Sequence, residues 1–265
     1  MSLRFVYWAA LLRALFAAYF CLSQTTGPLA QPEKPDSKQF DAEARQLVRD
    51  ILVQVPARPT SLEGVMKIRD ASGKRTAVPL QYTIAPEEGG WRCVYETRST
   101  PWRGAERLVI IHRDHRPNEY VHSPAGGPGE APKPAVALRG DQAAIPFAGS
   151  DYWLADLGME FLHWPEQRLV RDAKIKMRLS RPCKVVESTN PNPAATNYRR
   201  VISWLDAESG APIYAEGFDA KGEQVKTFSL HGLTKANGQW LPKEFEMLTD
   251  RTDTKTQIEF AFEPR

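Results

Sequence analysis

From Asp36 onward the chain shows two hydrophobic rhythms, one short and one long. Phe40, Ala44, Leu47, Val48, Ile51, Leu52 and Val55 recur at three- and four-residue intervals, the spacing that gathers side chains on one face of an α-helix. Asp36 and Ser37 supply caps at its start and Pro56 stops it. Beyond Pro56 the period falls towards two. Asp70 to Lys74, Asp206 to Gly210, Asp219 to Gly222 and Ala236-Asn237-Gly238 carry the residues that tight turns demand, so the pattern predicts a meandering antiparallel sheet. In the last third Phe228 and Leu230, then Phe245 and Met247, then Ile258, Phe260 and Phe262 alternate with polar neighbours. One face of that sheet is apolar and the other wet.

Two stretches break the strand rhythm. Pro124-Ala125-Gly126-Gly127-Pro128-Gly129 opens a Gly/Pro-rich insertion reaching Pro134, which predicts an irregular loop. At Tyr152 to His163 a helical period returns: Trp153, Leu157, Phe161 and Trp164 share a face, and Pro165 ends the run. Ser150 and Asp151 stand where an N-cap and a dipole-complementing acid belong. The aromatic face of this second helix suits either a lid over a lipid pocket or plain anchorage to the sheet.

Ahead of these elements lies a different composition. Met1-Ser2-Leu3-Arg4 precedes an apolar stretch from Phe5 to Leu22, broken only by Arg13, and Ser23-Gln24-Thr25-Thr26 follows. That order is a secretion signal, with cleavage expected within residues 23–30 after Ser23, Gly27 or Ala30. The alternative of an uncleaved anchor meets a short run interrupted by a charge, and bulky Tyr19-Phe20 oppose lipid attachment at Cys21. The expected organisation is a signal peptide at 1–30, a Pro-rich linker at 31–35 and a single domain at 36–265, delivered to a periplasm.

Hydrophobic residues make up 42% and charged residues 25% of the chain, ordinary for a globular domain. Removing residues 1–30 takes away Arg4 and Arg13 and no acid, so the formal charge falls from +3 to +1. The basic residues are scattered, leaving no footprint for nucleic acid. Cys93 and Cys183 survive processing and are expected to pair in an oxidising compartment, the alternatives being two buried free thiols or a metal site without Cys-x-x-Cys spacing. His112, Asp114, His115 and His122 do not converge, because His112 and Asp114 would share a strand face while His115 points away. A solvated strand end, not a metal centre, is expected there. The chain lacks a Gly-x-Ser-x-Gly elbow and a phosphate-cradling loop, so neither catalysis nor a cofactor is expected.

Phe147-Ala148-Gly149-Ser150-Asp151-Tyr152, followed by Asp156-Leu157, resembles the Phe-x-Gly-Ser-Asp-aromatic segment of LolA-like outer-membrane lipoprotein-sorting proteins. Arg181-Pro182-Cys183-Lys184-Val185-Val186-Glu187 is similar to that family's strand with a central cysteine, and Gly238-Gln239-Trp240-Leu241-Pro242-Lys243 to its late hairpin. The first strands carry no counterpart of the Arg-Pro step that helps hold the lid in the carriers, so the resemblance is to the broader branch. It implies a mainly β, α+β fold: a curved antiparallel sheet forming an unclosed half-barrel, covered by the N-terminal helix and a mid-chain lid helix. It further implies a periplasmic, non-catalytic carrier or binder of lipoproteins or acyl chains, with envelope donor and acceptor proteins. A lipid-sensing regulatory or scaffold protein using the same concave surface is the alternative. The implied lipid-contacting residues are Phe147, Tyr152, Trp153, Leu157, Phe161 and Trp164, joined from the strands by Phe228, Phe245, Met247 and Phe260.

Overall fold

The computed structural model describes residues 37–114, 116–170, 176–178, 180–194, 197–236 and 239–262. The expected leader and linker lie outside the described residues, as do His115 and the tip of the 236–238 turn. Helix α1 (Ser37–Leu52) buries Ala44 and Val48 while leaving Val53 and Val55 exposed, so the helix stops short of the Pro56 boundary that the period suggests.

Five strands then run as antiparallel neighbours: β1 (Thr60–Arg69), β2 (Arg75–Glu87), β3 (Gly90–Thr97), β4 (Glu106–Arg113) and β5 (Glu119–Ser123). The short β6 (Val136–Leu138) follows the Gly/Pro-rich loop. Later come β7 (Glu166–Leu169), β8 (Lys176–Arg178), β9 (Arg181–Thr189), β10 (Arg200–Asp206) and β11 (Pro212–Phe218). The chain ends with β12 (Gln224–Ala236), β13 (Gln239–Thr249) and β14 (Thr254–Phe260). The order across the sheet is β6-β5-β4-β3-β2-β1-β14-β13-β12-β11-β10-β9-β7, with β8 beside β9. Pairing of β1 with β14, Met66 opposite Ile258, joins the two arms. This is a large curved antiparallel sheet that does not close into a barrel, as expected.

Register separates the two faces, because successive side chains point to opposite sides of a strand. Ser203, Ala215, Phe228, Met247 and Thr256 are consecutive partners across β10 to β14. Their row continues into Met66, Leu80, Cys93 and Leu108, buried on the same face. The opposite face carries exposed ion pairs between strands, among them Lys67–Glu259, Arg98–Glu63 and Arg107–Glu96. Such pairs keep that face wet and contribute little each. Helix α1 packs over the β7 end of the covered face, where Ala44 and Val48 meet Leu162, Val186 and Leu205.

Two expectations fail against this register. Cys93 and Cys183 are free, buried thiols. Strands β2, β1, β14, β13, β12, β11 and β10 lie between β3 and β9 in the sheet order, and the pairing carries Cys93 to the covered face but Cys183, in line with Val185, Trp204 and Tyr214, to the other. A bridge between opposite faces is geometrically closed to them. The expected solvated strand end holds for exposed Asp114 but not for the histidines: His112 and His122 are 7% and 5% exposed, sharing the parity of Ile110 and Tyr120. His112 stacks on Trp91 at 3.6 Å between ring centroids, and burial pushes its pKa down to about 3.

Candidate functional site: the covered face of the sheet

Residues 145–164 cross the apolar face. The expected helix over Tyr152–His163 is replaced by two single turns, α2 (Leu154–Leu157) and a 3-10 turn at Glu160–His163. Met159 between them takes a left-handed φ of 50°, which breaks the helical path. The cause is tertiary. Gly158 lies against Tyr120, whose hydroxyl would sit 2.4 Å from a Cβ there, and its carbonyl accepts from Asn118 Nδ2 at 2.7 Å. The sheet dictates the turn that the helical period does not contain.

The first part of the segment is a tight loop. Phe147 N–H donates to the Tyr152 carbonyl at 2.8 Å and Leu154 N–H to the Ile145 carbonyl at 3.0 Å, while Ala148 and Gly149 both take positive φ. For Ala148 that conformation is strained. Its N–H is directed at buried Glu106, whose carboxylate accepts it at 3.2 Å and also meets His122 Nε2 at 2.8 Å and the Arg103 guanidinium. Burial alone would raise the Glu106 pKa, but these partners together hold it below the ordinary value. Ser150 and Asp151 do not cap α2. Ser150 Oγ accepts from the Tyr152 N–H, and the Asp151 carboxylate accepts hydroxyls of Thr249 (2.6 Å), Thr256 (2.7 Å) and Thr254, all on the β13–β14 hairpin. Its own N–H donates to Thr256 Oγ1.

The second part is held otherwise. Asp156 performs the capping expected of Ser150: its Oδ2 accepts the Trp153 N–H at 2.8 Å. The same oxygen pairs with Lys226 Nζ at 3.1 Å, and both side chains are buried. The ammonium sits 3.5 Å from the Trp153 ring centroid, a cation–π contact strengthened by desolvation. Burial lowers the Lys226 pKa, and Asp156 partly restores it. Glu160, 7% exposed, accepts the Tyr120 hydroxyl at 2.8 Å, and desolvation pushes its pKa up to about 7.

Between this second part and strands β10 to β13 lies a cavity of about 60 Å³, bordered by Phe161, Val201, Phe228 and Met247 with Asp156 and Lys226. A smaller one, about 20 Å³, lies beside Trp153, Phe161, Trp164 and Tyr198. Of the ten residues expected to contact lipid, Phe161, Phe228 and Met247 border the larger space. Phe147, Tyr152, Leu157, Phe245 and Phe260 belong to the main core. Trp153, Phe161 and Trp164 form a satellite cluster with Tyr198, Val201, Ala215 and Val225, so Leu157 does not share their face. Sequence reasoning missed Asp156–Lys226, Glu106–His122 and Glu160–Tyr120. Lys226 carried a signal: it stands two residues before Phe228, on the apolar parity of its strand.

Among the described residues no group of His, Cys, Asp or Glu could hold a metal ion, and no helix is long and apolar enough to cross a membrane. A family model described as an uncharacterized protein matches residues 134–262. No curated protein matches the chain. Among solved structures, a putative outer membrane lipoprotein-sorting protein domain from Vibrio parahaemolyticus aligns with a TM-score of 0.67 at 15% identity, covering 84% of this chain and 92% of that one. A DUF1329 family protein from Desulfovibrio piger aligns at 0.65 and 17% identity, covering 84% and 91%. A LolA superfamily protein from Nitrosomonas europaea aligns at 0.56 and 12% identity, covering 84% and 92%. The fold is LolA-like.

Proposed function

We propose that residues 36–265 are a single non-catalytic domain that binds acyl chains, free or carried on lipoproteins, beneath the 153–164 segment. The observation that carries this reading is the apolar cavity between that segment and β10 to β13, walled by Phe161, Phe228 and Met247. At about 60 Å³ it is far below the roughly 300 Å³ at which ligand pockets begin. The described conformation is thus the closed one, and binding requires the segment to undock. Undocking breaks the Asp156–Lys226 pair and the Glu160–Tyr120 and Asn118–Gly158 hydrogen bonds and uncovers Leu154, Leu157 and Leu162. Likeness to structures described as lipoprotein-sorting and LolA superfamily proteins supports the same reading. The protein then works in the periplasm after loss of its leader, taking lipidated cargo from one envelope protein and giving it to another.

Dense packing around Phe147 and Tyr152, 0% and 1% exposed, favours a second reading in which the same surface serves a regulatory or scaffold role without enclosing lipid. Native mass spectrometry of the purified protein, with titration of a fluorescent acyl probe, separates the two. A carrier retains lipid or binds the probe, and Trp153→Ala with Phe161→Ala alters that binding while the sheet stays folded. If no probe binds and those changes unfold the domain, the segment is core and the carrier reading fails.

A further inference from the structure

On the other side of residues 162–167 lies a groove of about 260 Å³ between α1 and the β4–β5 loop. Four arginines line it: Arg45 and Arg49 from α1, Arg113 from the end of β4 and Arg116 from the loop after it. Among the described residues no carboxylate pairs with any of them. Arg49 donates only to the neutral Gln46 Oε1, at 2.6 Å. Asp50 is engaged by Gln46 Nε2, and neither Asp114 nor Glu166 lines the groove. Arg45 and Arg49 stand four residues apart on one helix, a like-charge pair that weakens an isolated helix and that nothing described within the domain offsets.

The groove is not simply a charged surface. Val48, Leu52, Leu162 and Trp164 form an apolar wall beneath the guanidinium groups. His163 also lines it, and its buried Nε2 has no hydrogen-bond partner. Val53 and Val55, 45% and 46% exposed, continue the apolar surface past the end of α1. Cationic groups above an apolar wall match an anion joined to a hydrocarbon body. Arginine suits phosphate in particular, through its planar fork of donors. The volume holds one headgroup and not a folded peptide segment.

We infer that this groove binds the anionic headgroup of a phospholipid, with the phosphate among Arg45, Arg49, Arg113 and Arg116 and the first methylenes along Leu52 and Trp164. The site is distinct from the cavity, on the opposite side of the segment, and is formed while Leu162, His163 and Trp164 are docked. It would hold the domain at an anionic membrane surface. An occupant phosphate would also raise the His163 pKa, which burial now depresses to about 4.

The test is co-sedimentation of the full protein with vesicles of phosphatidylcholine alone or mixed with phosphatidylglycerol, with the His163 imidazole followed by NMR. The wild type should bind only the mixed vesicles, more weakly as salt rises, and short-chain phosphatidylglycerol should raise the His163 pKa. Arg113→Gln with Arg116→Gln should weaken binding about thirtyfold, as basic residues near an anionic surface each count for about fivefold. Arg45→Gln with Arg49→Gln should do the same should the first pair perturb folding. Arg75→Gln with Lys221→Gln, exposed positions outside the groove, removes equal charge and should have little effect. Equal loss in that control means diffuse attraction and overturns the site. So does binding to phosphatidylcholine alone, an equal His163 shift from inorganic phosphate at matched concentration, or binding of an acidic peptide without vesicle binding. Acyl-probe binding in the cavity should survive these arginine changes, so the two proposals can fail separately.

Discussion

The two parts of the segment that crosses the covered face are held through carboxylates with unequal numbers of donors. Two carboxylates with three donors each hold residues 145–152: Asp151 takes three threonine hydroxyls of one hairpin, and Glu106 of β4 takes His122, Arg103 and the Ala148 N–H. In residues 153–164 each acid has two side-chain donors from outside the segment: Asp156 meets Lys226 and the Tyr198 hydroxyl, and Glu160 meets the Tyr120 hydroxyl and Asn118. The flanking aromatics differ likewise. Phe147 and Tyr152 are completely enclosed, and Tyr152 packs edge-on against Phe245 at 5.6 Å, whereas Trp153, Phe161 and Trp164 are only partly covered. The cavities adjoin the second part alone. A carboxylate with three donors costs more to release than one with two, the more so where water can reach the second. The opening proposed above is therefore assigned to the second part, as the door, with the first part as its staple and the hinge near Tyr152.

Asp151→Ala should give the largest effect. It removes the shared acceptor of three hydroxyls, and hydrogen bonds to a charged group contribute about 1.5–3 kcal/mol each without adding fully. A loss of about 3–4 kcal/mol in global stability by urea denaturation is expected, with β13 and β14 losing amide protection together with residues 145–152. A small change confined to the segment would mean that this part also opens locally, and the contrast would collapse.

Lys226→Met comes next. Breaking a buried pair from one side typically costs about 3–5 kcal/mol, because the remaining charge is stranded. Here the cost is capped, since α2 can undock and hydrate Asp156. Global stability should fall by only about 1–2 kcal/mol, the cap being the local opening energy. Amide exchange should quicken across residues 153–164 and not across 145–152, and the acyl probe should bind faster. A full-sized global loss would show that the second part is as firmly seated as the first.

The sheet was legible in the sequence because burial on one face writes a period of two, and turn residues fall where hairpins reverse. The covering segment was legible only as to place. Its helical period, Trp153 to Trp164, is real as a pattern, yet Gly158 against Tyr120 and left-handed Met159 divide it, and both depend on a strand some forty residues earlier. Ser150 and Asp151 have ideal cap chemistry, but Ser150 takes the Tyr152 N–H within its own loop and the partners of Asp151 are threonines about a hundred residues away, which no local rule contains. The cysteine expectation weighed compartment without register. His112 and His122 were misjudged because polarity was taken as exposure, although each shares the parity of buried neighbours on its strand.

The smallest expected effect is a pH response of the door. Glu160 is buried under the 3-10 turn and faces the Tyr120 hydroxyl and Asn118 from the β5 side, with Asp141 contributing a like charge. His112 and His163 lie nearby, but burial holds their pKa values at about 3 and about 4, so both are neutral above pH 5 and drop out of the response. The Glu160 pKa stands at about 7 when docked, above its ordinary 4.5, so the docked state binds the proton more tightly than the open one. Its contribution is therefore complete below about pH 4.5 and is lost as pH rises through 7. From pH 5 to pH 8 the second part should loosen by about 2 kcal/mol, discounted from the full shift because an opened segment re-solvates the carboxylate. Protection factors, which correct for the base-catalysed intrinsic rate, should fall at residues 153–164 over that range while those at 145–152 stay level, and Glu160→Gln should flatten the response at the docked, low-pH level. A parallel fall in the protection factors of both parts would mean that they move as one body, and the hinge at Tyr152 would have to be given up.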